Sequence, residues 1–458
     1  MAMGKRRGRQ RGLWVPTSSL AKSPGHPFYE RLSRLLAEHG FDAFVEQHCA
    51  QFYAPTMGRP SLAPGVYFRM LLIGYFEGID SERGVAWRVA DSFTLREFLG
   101  FELSDPPPDH STISRTRRLI DLETHEAVFG WVLRVLAKTG LLKGKTLGID
   151  ATTLEANAAL RSIVRRDTGE SYEEFLERLA KASGIETPTR EDLARLDRKR
   201  EKKGSNDDWT NPHDPDAKIT KMKDGRTHLA HKAEHAVDMD TGAIVAVTVQ
   251  PANRGDTSSI ETTLEEVTMV FEDVLSDQEA ADQLSDQLRS ELVADKGYHS
   301  NAVLTAQHEA GVRTYISEPN RGRRNWRGKP DARKAVYGNR RRIRNARGQR
   351  LLRRRGELLE RPNAHCYETG GMRRTHLRGH TNIRKRLLIH HAGFNLGLVM
   401  RQRFGFGKPR VLQGLRALLT GLSGLLQAIF DALGLSRSRT SPSGPSERPL
   451  SAFAVAVS

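Results

Sequence analysis

The chain has 458 residues, enough for two or three domains with a sizeable core. Its 72 Lys and Arg against 55 Asp and Glu leave a formal charge of +17, a surplus that gathers counter-anions and makes nucleic acid the first partner to consider. Two cysteines, Cys49 and Cys366, exclude a disulfide framework and fit a reducing compartment, and the single His-Cys pairs around them lack the further ligands of a zinc site.

Residues 1–26 are basic (Lys5, Arg6, Arg7, Arg9, Arg11) and rich in Gly, Ser and Pro, which predicts a flexible arm; no apolar stretch follows, so no secretory signal is expected. From 27 to 140 apolar residues recur at helical spacing, as in Leu32, Leu35, Leu36 and in Val128, Val132, Val135, Leu136, predicting an all-helical N-terminal domain. Pro106, Pro107 and Pro108 break it, after which Asp109 or Ser111 caps a short helix bearing Arg115, Arg117 and Arg118. That helix fits two readings equally: the second helix of a helix-turn-helix, or a surface helix with a basic face.

Strand signals begin at 145, with Thr146–Ile149 running into Asp150. A charged insertion at about 160–225 follows, helical over Glu173–Arg200. His235–Asp238 and Ile244–Val249 flank the turn Asp240-Thr241-Gly242 and predict a β-hairpin. Helices over 262–275 and 302–310 alternate with short buried strands at 291–294 and 314–316, so 141–402 reads as an α/β domain with a mixed sheet. Residues 381–402 predict a basic, then apolar helix; 403–435 an amphipathic helix too interrupted by polar residues to span a membrane; 436–458 a disordered tail.

Asp150 and Asp295 each follow a short apolar strand, where rigid backbone can aim an acid into a cleft. Either alone is most simply a turn-capping aspartate. Together, with a downstream glutamate and a basic surface, they suggest carboxylates gathered around Mg²⁺ or Mn²⁺, because such a group repels itself unless a cation neutralises it. Fourteen arginines lie within 321–355, in what looks like arms or loops laid along phosphates, and Trp326 among them could stack on an unpaired base or anchor its loop.

Gly148-Ile149-Asp150-Ala151-Thr152 and Ala294-Asp295-Lys296-Gly297-Tyr298 resemble the first two acidic motifs of bacterial insertion-sequence DDE transposases. Glu360-Arg361, followed by Met372-Arg373-Arg374 and Leu377-Arg378-Gly379, resembles the third. Gly58-Arg59-Pro60, Phe98-Leu99-Gly100 and Pro108-Asp109-His110-Ser111-Thr112 are similar to the helical domain ahead of the catalytic one. The pattern departs at Asn363, where the family has a bulky residue, and at Pro362; Glu368 is the rival third acid.

The resemblance implies an RNase H-like catalytic domain, with Asp150 on a central strand, Asp295 on a neighbouring one and Glu360 on a helix. It implies that the three hold two divalent ions that activate water or a DNA 3′-hydroxyl and stabilise the departing oxygen. The expected partner is double-stranded DNA, both element inverted repeats and target. Phosphate contacts are expected from Arg115, Arg117, Arg118, Arg321, Arg323, Arg324, Arg327, Arg373, Arg374 and Arg378, with Arg340, Arg341, Arg342, Arg353, Arg354 and Arg355 beside them. Paired DNA ends imply a homo-oligomer, and the setting is the bacterial cytoplasm and nucleoid. The alternative is a catalytically inactive DNA-binding descendant of such an enzyme.

Overall fold

A computed structural model describes residues 27–54, 61–102, 104–200, 204–222, 225–322 and 324–409. The expected arm at 1–26, the Gly58-Arg59-Pro60 motif, Arg323 and everything expected from 410 onward lie outside the described residues.

Seven helices open the described chain: α1 (Pro27–Glu38), α2 (Phe41–Cys49), α3 (Pro64–Glu77), α4 (Glu82–Ala90), α5 (Phe93–Phe98), α6 (His110–Leu119) and α7 (Leu122–Lys138). Their starts are set by short polar side chains that satisfy free amide groups: Ser81, Ser92, Asp109 and Asp121 each accept from the backbone N–H of the second or third helical residue. Helix α3 is buried nearly all round, from Tyr67 to Phe76, and its one cation, Arg69, is paired with Asp42. It is the centre of the helical layer.

The rest alternates strands and helices: β1 (Thr146–Glu155), β2 (Val164–Arg165), α8 (Tyr172–Ala182), α9 (Arg190–Lys199), β3 (Trp209–Thr210), β4 (Lys218–Lys221), β5 (Thr227–Asp238), β6 (Ile244–Pro251), α10 (Asp256–Leu275), α11 (Gln278–Ala281), β7 (Glu291–Ala294), α12 (Asn301–Glu309), β8 (Arg313–Ile316), α13 (Pro330–Arg344), α14 (Ala346–Pro362) and α15 (His380–Phe404). Six of these strands form one mixed sheet. β1 lies between β5 (antiparallel) and β7 (parallel); β8 continues the parallel side, and β6 and β4 share the far edge of β5.

The sheet is covered on both faces. Ser259 and Thr263 of α10 reach Glu234 on one face, while Leu351 and Leu358 of α14 pack on Met239, Val293 and Tyr315 on the other. The insertion builds its own small core, with Ile163, Trp209 and Leu229 around the β2–β3 pair.

Helix α15 joins the helical layer to the sheet. Asn395 donates to and accepts from the backbone of Ile244 at the start of β6, at 2.8 and 2.9 Å. Lys385 donates to the carbonyls of Arg117 and Ile120, and Arg386 to that of Ile79. Lys385 is thus met by two backbone acceptors and Arg386 by one, which offsets part of the cost of burying them. No described helix is long and apolar enough to cross a membrane.

At the α3–α15 contact, a side chain on Gly393 would begin 2.6 Å from the Tyr75 ring. Gly393→Val is expected to destabilise the protein by about 1–3 kcal/mol through overpacking, read as a lowered urea midpoint at unchanged slope.

Candidate active site

Strand β1 is longer than its apolar run suggests. It continues past Asp150 to Glu155, so Asp150 stands mid-strand rather than at the strand end. On one side it pairs antiparallel with β5, with Asp150 opposite His235; on the other it pairs parallel with β7, up to Ile149 opposite Ala294. The next residue on each of these parallel strands is an aspartate. Asp150 and Asp295 therefore sit side by side, on backbones about 5 Å apart. Asp295 ends its strand in extended conformation and caps a single 3₁₀ turn, Lys296–Tyr298, by accepting from Gly297 N at 2.7 Å.

Asp150 shares its sheet face with Gly148, whose missing side chain leaves room for Leu359 of α14. From that helix Arg355 reaches Asp150 Oδ1 at 3.4 Å. Two residues further along β1, Thr152 accepts from Arg373 at 2.9 Å, and Arg373 in turn pairs with Glu368.

The two candidate third acids are placed differently. Glu360 is exposed and lies about 140° round α14 from Arg355 at 100° per residue, on the side away from Leu358 and Leu359. Glu368 ends the π-helical segment Asn363–Glu368 that continues α14 beyond Pro362, and is tied through Arg373 to the Asp150 strand. The two aspartates offer carboxylate oxygens, the donor set that suits Mg²⁺ or Mn²⁺. Among the described residues, no group of three or more His, Cys, Asp or Glu side chains stands close enough to hold a metal ion. The pair fits a hard cation; neither glutamate joins it.

The arginines divide sharply. Those of 321–355 do not form arms or loops throughout: most lie on α13 and α14, whose apolar stripe (Ala335, Val336, Leu351, Leu358, Leu359) docks on the sheet. Arg324 and Arg340 clamp Glu318, holding its carboxyl down at about 2, and Arg324 stacks 4.4 Å from the Trp326 ring. Trp326 leans on Tyr337, so it anchors its loop. Arg342 donates to Thr314, and Arg347 to Glu291. Arg117, expected on DNA, is instead 7% exposed and bonded to Glu82 and Asn382 at 2.8 Å each, because the polar face of α6 packs against α4 and α15. Arg321 and Arg327 are exposed, as are Arg341, Arg353 and Arg354. Arg115 and Arg118 are exposed on α6, and Arg374 and Arg378 near the end of β1. The last two line a polar pocket of about 410 Å³ with Asn157, Asn211 and His228.

Sequence reading missed the charges beneath the site. Lys232 and Glu234 of β5 are buried on the face opposite Asp150, with Asp256 of α10 beside them. Tyr298, three residues after Asp295, is buried and donates to Glu234. The sequence signal was a lysine and a glutamate two apart in a stretch, 228–237, otherwise apolar or histidine-bearing.

Residues 18–119 match the model of a transposase domain family (DUF772). The match ends in α6 and does not reach the sheet, and it supports a transposase. No curated protein and no solved structure matches the chain.

Arg117→Ala leaves Glu82 largely buried without its cation and is expected to cost about 3 kcal/mol in urea unfolding, whereas Arg118→Ala, on the exposed side of the same helix, changes stability by less than about 0.5 kcal/mol. Burial also pushes the imidazoles of His125 and His391 down to about 3 and that of His235 to about 4, from 6.5. Between those values the unfolded chain binds more protons than the folded one. Stability is therefore full above about pH 6.5 and falls as pH drops toward 4, each unit of difference per histidine being worth about 1.4 kcal/mol. Urea titrations at stepped pH should show that slope, and His235→Leu should flatten it.

Proposed function

We propose that the protein is a DDE transposase that cleaves DNA at the ends of an insertion sequence and joins them to a target. The observation that carries this reading is the β1–β7 register, which sets Asp150 beside Asp295; the transposase-domain match and the charge of +17 support it. The central place of β1, with Asp295 on a neighbouring strand, supports an RNase H-like catalytic fold.

In this reading Asp150 and Asp295 hold Mg²⁺ or Mn²⁺, two ions in the complete site, and the ions supply the polarising charge for attack on a phosphodiester and for the departing oxygen. The chain's own part is to orient and to grip. Parallel pairing fixes the two aspartates. Arg355 balances Asp150 from α14. The exposed Arg115, Arg118, Arg321, Arg327, Arg374 and Arg378 contact phosphates of double-stranded DNA and orient it. Two DNA ends held together call for a homo-oligomer. Of the two glutamates, Glu368 is the better third acid on geometry, because Arg373 links it to the Asp150 face while Glu360 points outward.

One observation favours the second reading, a DNA-binding protein without catalysis: three acids do not converge among the described residues. A single experiment separates the two. With Mg²⁺ and DNA bearing the element's ends, Asp150→Asn and Asp295→Asn should each lower cleavage by at least about a thousandfold while DNA binding persists. Glu368→Gln should do the same and Glu360→Gln should not; the reverse pattern restores Glu360. Wild-type protein that binds but never nicks would establish the non-catalytic reading.

A further inference from the structure

The charges buried behind the aspartate pair form a connected set. Glu234 is fully buried, and its two oxygens accept from three hydroxyls: Ser259 at 2.6 Å and Tyr298 at 2.9 Å on Oε1, Thr263 at 2.5 Å on Oε2. Lys232, 5% exposed, donates to Asp256 at 2.6 Å and Ser259 at 2.7 Å, and stands 3.7 Å from Glu234. Thr248 continues the set behind Thr263, at 2.8 Å. A buried network in which every charge is satisfied is rigid, because losing any one partner strands another.

This network meets the Asp295 turn at two points. Tyr298 closes the turn, and its hydroxyl is anchored on Glu234. Burial beside Glu234 pushes that phenol well above its ordinary value, so it stays a proton donor. Gly297, in the middle of the turn, lies against Asp256: a Cβ there would overlap Asp256 Oδ2 and sit 2.9 Å from Asp295 Oδ1. The turn is thus anchored from below by Tyr298 and flanked by Asp256, and its Gly297 amide is the group that orients the Asp295 carboxylate.

We propose that Tyr298 and Asp256, fixed by Lys232 and Glu234, are positioning residues that set the Asp295 carboxylate for cation binding. This rests on the metal-dependent reading of Asp150 and Asp295. Glu234 and Lys232 lie buried beneath the turn that carries Asp295, with the half-exposed Asp256 at its flank. Partners of this kind, one step removed from a metal ligand, typically change metal affinity by about 10–100-fold.

The test uses the full chain without DNA. Mn²⁺ binding is followed by the electron paramagnetic resonance signal of the free ion, and hydrogen exchange is followed at the Gly297 amide. Tyr298→Phe, which removes one hydroxyl, should weaken Mn²⁺ binding about tenfold and speed Gly297 exchange about tenfold, with a cooperative unfolding transition retained. Asp256→Asn should act in the same direction and serves where Tyr298→Phe does not fold. Unchanged Mn²⁺ affinity together with unchanged Gly297 exchange in a folded variant overturns the inference. Asp295→Asn separates it from the reading beneath it. If that variant binds Mn²⁺ as wild type does, the metal assignment fails, and Gly297 exchange alone then decides whether Tyr298 and Asp256 position the turn.

Discussion

Strand β1 is gripped from both sides, and that double pairing is the constraint on which the candidate site depends. Antiparallel pairs run along it from Leu147 to Glu155 on the β5 side, and parallel pairs from Thr146 to Ile149 on the β7 side. The asymmetry matters. β7 ends at Ala294 while β1 runs on, so Asp150 keeps a strand partner on one side and has an opening on the other, where the chain turns away after Asp295.

The elements read from sequence were those whose apolar pattern is strong within one segment. The strands at 291–294 and 314–316 and the hairpin around Gly242 needed no distant information, and the helix after Pro108 announced itself through its Asp109 cap. The length of β1 was hidden, because Ala151-Thr152-Thr153-Leu154-Glu155 is only half apolar and gains its strand character from β5. Arginines likewise masked α13 and α14, whose few core residues are enough to dock them. In the site, the two aspartates were legible as acids after apolar runs. The outward side of Glu360 was not, since it depends on how α14 rolls on the sheet. Nor was the fate of Arg117, whose partners Glu82 and Asn382 are contributed by α4 and α15.

The positive charge reads differently once partners are known. The fourteen arginines within 321–355 repel one another unless anions compensate them. Much of that repulsion is relieved internally: Glu318 takes two guanidiniums, Glu291 one and Asp150 another. These pairs bridge α13 and α14 to the sheet, so part of the arginine surplus serves docking. The arginines that remain exposed are spread over α6, the loop before α13, the outer sides of α13 and α14 and the end of β1.

The end of β1 carries one more link. Glu155 donates its amide to the Arg373 carbonyl and accepts from the Thr375 amide, so residues 373–375 join β1 as a short parallel neighbour. Arg374 is thereby mounted on the same rigid ruler as Asp150, five residues and about 16 Å along it. Any anion that Arg374 holds has its distance from Asp150 measured off in strand residues, not left to the swing of a loop.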